Sequence, residues 1–130
     1  MLTGGCLRSE ASAPGTGTQS QIIENITPAQ AFTLIENSPG NPSFVVLDVR
    51  TPEEFSEERI ENAVNLDYYS PTFRGDLENL DQDKVYLIYC RSGRRTSHTL
   101  DIMQELEFRE VYNMLGGITR WKEEGLPTTT

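Results

Sequence analysis

One cysteine in this chain stands where covalent chemistry is easiest to build. Val85-Tyr86-Leu87-Ile88-Tyr89, apolar and β-favouring, runs straight into Cys90-Arg91-Ser92-Gly93-Arg94-Arg95-Thr96, and Ser97 to Leu106 then carries apolar residues at helical spacing. Strand, loop and helix in that order place the loop at the carboxyl edge of a sheet, over a helix N-terminus. Loop N–H groups converge there, and the helix adds roughly half a unit of positive charge. A thiol at such a point ionises below the free cysteine value of about 8.5. Arg91, Arg94 and Arg95 push the same way: three of the 11 basic residues gather within five positions of a chain with net charge -9. The pattern predicts an activated nucleophilic cysteine in an anion-cradling loop. The plainer reading of a free cysteine is a buried, inert small hydrophobe. The adjoining arginines and glycine weigh against it.

Three segments carry a family resemblance. Cys90-Arg91-Ser92-Gly93-Arg94-Arg95-Thr96 resembles the active-site loop of single-domain rhodaneses, C-R-S-G-x-R-[S/T]. Leu47-Asp48-Val49-Arg50-Thr51-Pro52-Glu53-Glu54-Phe55 is similar to the family's L-D-V-R-x-x-x-E-F. Leu115-Gly116-Gly117-Ile118-Thr119-Arg120-Trp121, with Gly125-Leu126-Pro127, is similar to its closing L-x-G-G-x-x-x-W…G-x-P. Together they cover roughly Ile22 to Pro127 in the family's order. Where the family usually reads G-H-I-x-G-A, this chain has Glu58-Arg59-Ile60-Glu61-Asn62-Ala63, so no histidine acts there.

The resemblance implies a sulfurtransferase that moves sulfane sulfur from thiosulfate or polysulfide, through a persulfide on Cys90, to a thiophilic acceptor, cyanide or a thiol. Cys90 is then the catalytic residue, and Arg91, Ser92, Gly93, Arg94, Arg95 and Thr96 bind substrate. No cofactor is needed and no metal is expected. Two rivals stay open. A rhodanese-like domain can be a carrier, binding or sensing module without turnover. Certain phosphatases of similar fold use a thiolate in a loop one residue longer.

The elements that must position Cys90 follow from pattern. Ile22 to Ile26 is a short strand. Thr27-Pro28-Ala29-Gln30 opens a helix with an N-cap, a first-turn proline and a capping box, and Asn37 to Pro42 breaks it. Phe44 to Leu47 reads as a strand buried on both faces. Thr51-Pro52-Glu53-Glu54 repeats the capping box and opens a short acidic helix. Ala63 to Leu66 suits a brief strand, and Asp67 to Asp83 is irregular with a helical segment around Asp76 to Leu80. Glu110 to Met114 is the last strand and Gly117 to Glu124 the last helix. Alternating strands and helices give an α/β fold. Its core is a central, mostly parallel five-stranded sheet with helices on both faces, the strand number and order following from the rhodanese resemblance.

Length and charge bound the rest. The 130 residues allow one ordinary domain, assigned to 22–127, between an N-terminal tail at 1–21 and a C-terminal tail at 128–130. A pI near 4.5 argues against nucleic acid and anionic membranes as general partners. Two cysteines and one histidine leave no metal-site spacing. A monomer is expected, with a small-molecule sulfur donor and a thiol acceptor as its partners. Ser9 to Ser20 has linker composition. Leu2-Thr3-Gly4-Gly5-Cys6 resembles a lipoprotein cleavage region, although Thr3 is atypical and an apolar stretch is missing. Two readings stand: an extracytoplasmic protein tethered to a membrane through Cys6, or a cytoplasmic one whose tail carries an incidental cysteine.

Other residues near the loop have plainer expectations. Asp48 either pairs with Arg95 or simply shapes a turn. Glu53, Glu54, Glu57 and Glu58 read as a solvated helix face without acid–base work. His98, eight residues beyond Cys90, points away from it. Trp121 reads as a core anchor beneath Gly116-Gly117. Tyr68, Tyr69 and Phe73 either pack or form an apolar rim beside substrate.

Overall fold

The computed structural model describes residues 20–130; Cys6 and the other features read in the first nineteen lie outside the described residues. In chain order the elements are β1 Ile22–Ile26, α1 Pro28–Glu36, β2 Phe44–Asp48, α2 Pro52–Glu57, β3 Val64–Asn65, α3 Phe73–Glu78, β4 Val85–Tyr89, α4 Arg94–Glu105, β5 Glu110–Met114 and α5 Gly117–Glu123. Both capping boxes form: Thr27 with Gln30 opens α1, and Thr51 with Glu54 opens α2, each with proline in the first turn. The helix expected around Asp76 to Leu80 begins earlier, at Phe73, because Phe73 and Leu77 lie one turn apart and are buried together. Thr72 occupies its N-cap, but no side-chain hydrogen bond caps the start as in α1 and α2.

All five strands are parallel, in the order β1-β5-β4-β2-β3. The strand that leads to Cys90 is therefore the middle one. Tyr86, Ile88 and Cys90 face one core layer with Leu100, Met103 and Phe108, whereas Leu87 and Tyr89 face the other with Ala31, Ile118 and Trp121. This is the two-residue alternation of a strand covered on both sides. Leu87 and Ile88 are fully buried, and truncating either to alanine removes roughly 2–5 kcal/mol of stability. Trp121 is buried as expected, its indole N–H donating to the Pro127 carbonyl at 2.8 Å. Thr129 exchanges two backbone hydrogen bonds with Arg59, so regular bonding continues beyond Pro127. Among the described residues no helix is long and apolar enough to cross a membrane.

Parallel strands send all their carboxyl ends to one edge. β4 continues towards β5, while β2 continues towards β3 on the opposite side. The crevice between the ends of β4 and β2 is thus the point where the winding reverses, the usual ligand position in such sheets. Register brings Asp48 opposite Tyr89, and the Val49 amide bonds the Tyr89 carbonyl at 3.1 Å. Cys90 and Val49 thus leave the sheet side by side and face the same core layer.

Candidate active site

The alternation along β4 decides where the Cys90 side chain goes. It falls on the α4 side, and α4 begins four residues later, so the thiol sits beneath that helix's N-terminus. Gly93 caps α4 with φ +105, a left-handed conformation that favours glycine, and the turn aims its own amide at Cys90 Sγ from 3.1 Å. Thr96 Oγ1 lies 3.6 Å from the sulfur. The hydroxyl donates to the Gly93 carbonyl at 3.2 Å, and either partner can supply the proton in its contact with Sγ. Burial alone pushes the thiol up. The Thr96 hydroxyl and the amides of Thr96, Gly93 and Arg95 outweigh it and leave the Cys90 pKa below the ordinary thiol value. The groups that favour the ionised sulfur are the loop's backbone amides and one hydroxyl.

The three arginines expected to favour the thiolate alongside the loop amides and the helix are not equivalent in the fold, and Arg95 is the one coupled to Cys90 through its charge. Arg91 is 73% exposed and reaches only towards Glu54, at 3.9 Å. Arg94 is exposed and enters no ion pair among the described residues. Both charges point into solvent at the loop mouth, placed to attract an anion. Arg95 turns inward instead. Its guanidinium donates to both Glu54 oxygens, at 2.9 and 3.1 Å, a fork that immobilises the start of α4.

Two assignments change with this pair. Asp48 does not meet Arg95. It is buried against Arg50, with Arg50 Nη2 2.7 Å from its Oδ2, and it also accepts the Arg50 amide at 2.8 Å. Residues 48 and 50 of one chain end lie on the same side of the pleat, which lets the shorter loop close on itself. Glu54 is not part of a solvated face. Thr51 donates to its Oε1 through amide and hydroxyl, completing the capping box, and Arg95 takes the remaining lone pairs. The Arg95 hydrogen bonds draw the Glu54 carboxyl down to about 2. The capping box was the available signal. It folds the Glu54 side chain back to the helix start, and that start lies at the loop's edge of the sheet. Glu58 also has partners, Lys122 Nζ at 2.6 Å and the Thr128 hydroxyl. His98 bonds Tyr68 through Nδ1 at 2.7 Å, in line with a packing role.

A second shelf supports the loop from α5. The amides of Ile118 and Thr119 donate to the Cys90 and Arg91 carbonyls at 2.9 and 3.0 Å. Gly117, at φ +61, lies so close beneath them that a Cβ would collide with those same carbonyl oxygens. The Gly116-Gly117 pair lets two backbones touch, and this fixes the height of the loop. Above it is a shallow mouth bounded by Thr51, Glu54, Tyr69, Arg91, Ser92 and Arg94. Cys90 to Thr96, the seven residues expected at the site, run through this turn into the first residues of α4, and Arg91, Ser92, Arg94 and Arg95 among them line the mouth. Glu54, Gly117 and Tyr69 join them from α2, α5 and the segment after β3.

Residues 31–124 match the family model described as Rhodanese-like domain. The thiosulfate sulfurtransferase GlpE of Coxiella burnetii is 29% identical over 101 residues, spanning 78% of this chain and 89% of that one. A sulfurtransferase of Allochromatium vinosum is 31% identical over 83 residues, covering 64% of this chain and 76% of its own. Among solved structures, a rhodanese-related protein from Thermoplasma volcanium superposes with a TM-score of 0.70 at 28% identity, over 82% of this chain and 97% of that one.

Proposed function

Because the chain belongs to the rhodanese-like domain family, we propose that it is a sulfurtransferase that carries sulfane sulfur as a persulfide on Cys90. The donor is thiosulfate or a polysulfide, and the acceptor is a thiophile such as cyanide or a thiol. The Cys90 thiolate attacks the outer sulfur of the donor. With thiosulfate, the new bond joins Cys90 Sγ to that sulfur, the donor's S–S bond breaks, and sulfite leaves with the electron pair. An acceptor thiolate then attacks the terminal sulfur of the persulfide, takes it, and releases the Cys90 thiolate. This is two-step covalent catalysis, and neither step consumes a cofactor.

The observation that carries this reading is the convergence on Cys90 Sγ of the Gly93 amide and the Thr96 hydroxyl, with the thiol pKa lowered as a result. Donors fixed before reaction stabilise anionic sulfur without reorganising. Arg91 and Arg94 stand outside that ring, where they draw in the donor and hold the departing anion. The names of the Coxiella burnetii and Allochromatium vinosum relatives support the same reaction class. Mass spectrometry after incubation with thiosulfate tests it. One added sulfur atom on the peptide containing Cys90 is expected, removable by cyanide. An unmodified Cys90 after treatment with both thiosulfate and polysulfide would overturn the assignment.

A further inference from the structure

The mouth above the loop is lined by charged and polar side chains and one aromatic ring, that of Tyr69. Tyr68 and Tyr69 are adjacent in sequence but face opposite ways. Tyr68 turns inward, edge-on to Phe73 at 5.3 Å between centroids, and bonds His98. Tyr69 turns outward and is 65% exposed, the most exposed large hydrophobic among the described residues. It is nevertheless held in place. Its amide bonds Asp67 Oδ1 at 2.9 Å, Tyr68 stacks edge-on against it at 5.2 Å, and the Arg95 guanidinium lies 5.5 Å from its ring centroid. Arg95 is in turn fixed by Glu54. A ring that is oriented in advance and left uncovered beside a reactive centre is a ready contact surface, because little further ordering is needed when a ligand covers it. The same mouth presents Arg91 and Arg94 to an anionic head.

We propose that Tyr69 is a specificity-determining residue, selecting an organic sulfane-sulfur anion whose apolar carbon group lies on its ring while the anionic sulfur enters the Cys90 loop. This rests on the sulfurtransferase reading above and deepens it. The class comprises thiosulfonates and organic persulfides, each with one transferable sulfur next to a carbon-bearing sulfur. For a thiosulfonate, Cys90 thiolate attacks the terminal sulfur, the donor's S–S bond breaks, and the sulfinate departs with the electron pair. One negative charge on each reactant becomes one on each product. Thiosulfate fits the charge of the mouth but offers nothing to the ring.

The test is the rate of persulfide formation on Cys90 with benzenethiosulfonate, methanethiosulfonate and thiosulfate, measured for the unaltered protein, Tyr69→Ala and Tyr69→Phe. Using the ratio of aryl to methyl donor within each protein removes differences in leaving group. Tyr69→Ala is expected to lower that ratio about tenfold, the scale of burying one aromatic face, while Tyr69→Phe keeps it. An unchanged ratio in Tyr69→Ala, with sulfur still loading from every donor, would overturn the role of Tyr69 alone. An equal loss with all three donors would overturn it too, marking the ring as a mere support for Arg95. Absence of loading from any donor in the unaltered protein would overturn both this inference and the reaction class.

Discussion

Arg95 and Glu54 meet as a two-pronged ion pair, Nη1 to Oε1 at 2.9 Å and Nη2 to Oε2 at 3.1 Å. The pair ties the first turn of α4 to the first turn of α2. One helix carries the loop's amides and the other closes the mouth, so the geometry around Cys90 depends on a contact made 41 residues away in sequence. Both side chains are largely shielded, 13% and 22% exposed.

That shielding gives a pH dependence with a definite sign. Glu54 is held down to about 2, against 4.5 for the free group, chiefly by the Arg95 hydrogen bonds. A carboxylate depressed in the folded state stabilises the fold above its unfolded pKa. The contribution is lost as pH falls from near 4.5 towards 2. Allowing for partial solvent screening, the amount at neutral pH is about 1–2 kcal/mol. Glu54→Gln should therefore melt lower than the unaltered protein at pH 7, and the gap should narrow as the pH approaches 2. A constant gap from pH 7 to pH 3 would show that the carboxylate charge contributes nothing.

The nucleophile gives the simplest expectation. Cys90→Ser should lose essentially all sulfur transfer while melting within a few degrees of the unaltered protein, since serine is close in size and the loop's hydrogen bonds are mainly backbone. Cys6→Ser should leave turnover intact. Cyanide-dependent thiocyanate formation measures both, and substantial turnover by Cys90→Ser would remove the mechanism.

Much of this arrangement was legible in the chain and some was not. The capping boxes at Thr27 and Thr51 and the apolar run of β4 are local, set by residues within a turn of one another. Such features can be read without tertiary knowledge. The partners of the charged side chains are not local. Asp48, the partner expected for Arg95, pairs instead with Arg50 two residues away, and Arg95 pairs with the capping carboxylate Glu54, 41 residues off in sequence. The start of α3 was misplaced for another reason. It has no capping box, and the burial of Phe73 and Leu77 that anchors it exists only once the β3–β4 connection packs on the sheet.

Ionisation of the thiol and capture of the donor should separate by residue. Thr96→Val removes a hydroxyl from the sulfur in a buried position. The Gly93 carbonyl keeps the Ser97 amide and hydroxyl as donors, at 3.1 and 2.9 Å, so the fold should survive. The pH profile of Cys90 alkylation should move to higher pH. Arg91→Ala and Arg94→Ala should leave that profile in place but raise the KM for thiosulfate about three- to fivefold, more at low ionic strength, as exposed charges do. If either arginine variant moved the alkylation profile as far as Thr96→Val, the guanidiniums rather than the loop donors would be setting the thiol.

Gly117 and Gly125 separate backbone conformation from close approach. Both have positive φ, +61 and +77, but only at Gly117 would a Cβ meet other atoms, the carbonyls of Cys90 and Arg91. Gly125→Ala should cost about 1 kcal/mol from conformation alone. Gly117→Ala should cost more and also slow sulfur loading, because the loop must lift off its shelf. Thermal melts and single-turnover loading measure the two effects; equal behaviour of the variants would mean that the shelf does not position Cys90.

Loop length decides between sulfur and phosphorus. Four residues separate Cys90 from Arg95, giving C-x4-R, whereas the phosphatases of similar fold carry C-x5-R and surround a tetrahedral phosphoryl group. Here the Gly93 amide closes on Sγ at 3.1 Å, and the loop is clamped at both ends: Ile118 holds the Cys90 carbonyl, and Glu54 holds Arg95. Donors drawn this close to Sγ favour an anion the size of one sulfur atom over a phosphoryl group. An error of about 1 Å in placement costs roughly a hundredfold in rate. The protein should therefore transfer sulfur and leave aryl phosphates unhydrolysed. A glycine inserted between Ser92 and Gly93 should depress sulfur loading about a hundredfold while allowing phosphate to protect Cys90 weakly from alkylation. Hydrolysis of an aryl phosphate by the unaltered protein through a Cys90 phosphoenzyme, with no sulfur taken from any donor, would show that loop length was the wrong discriminator.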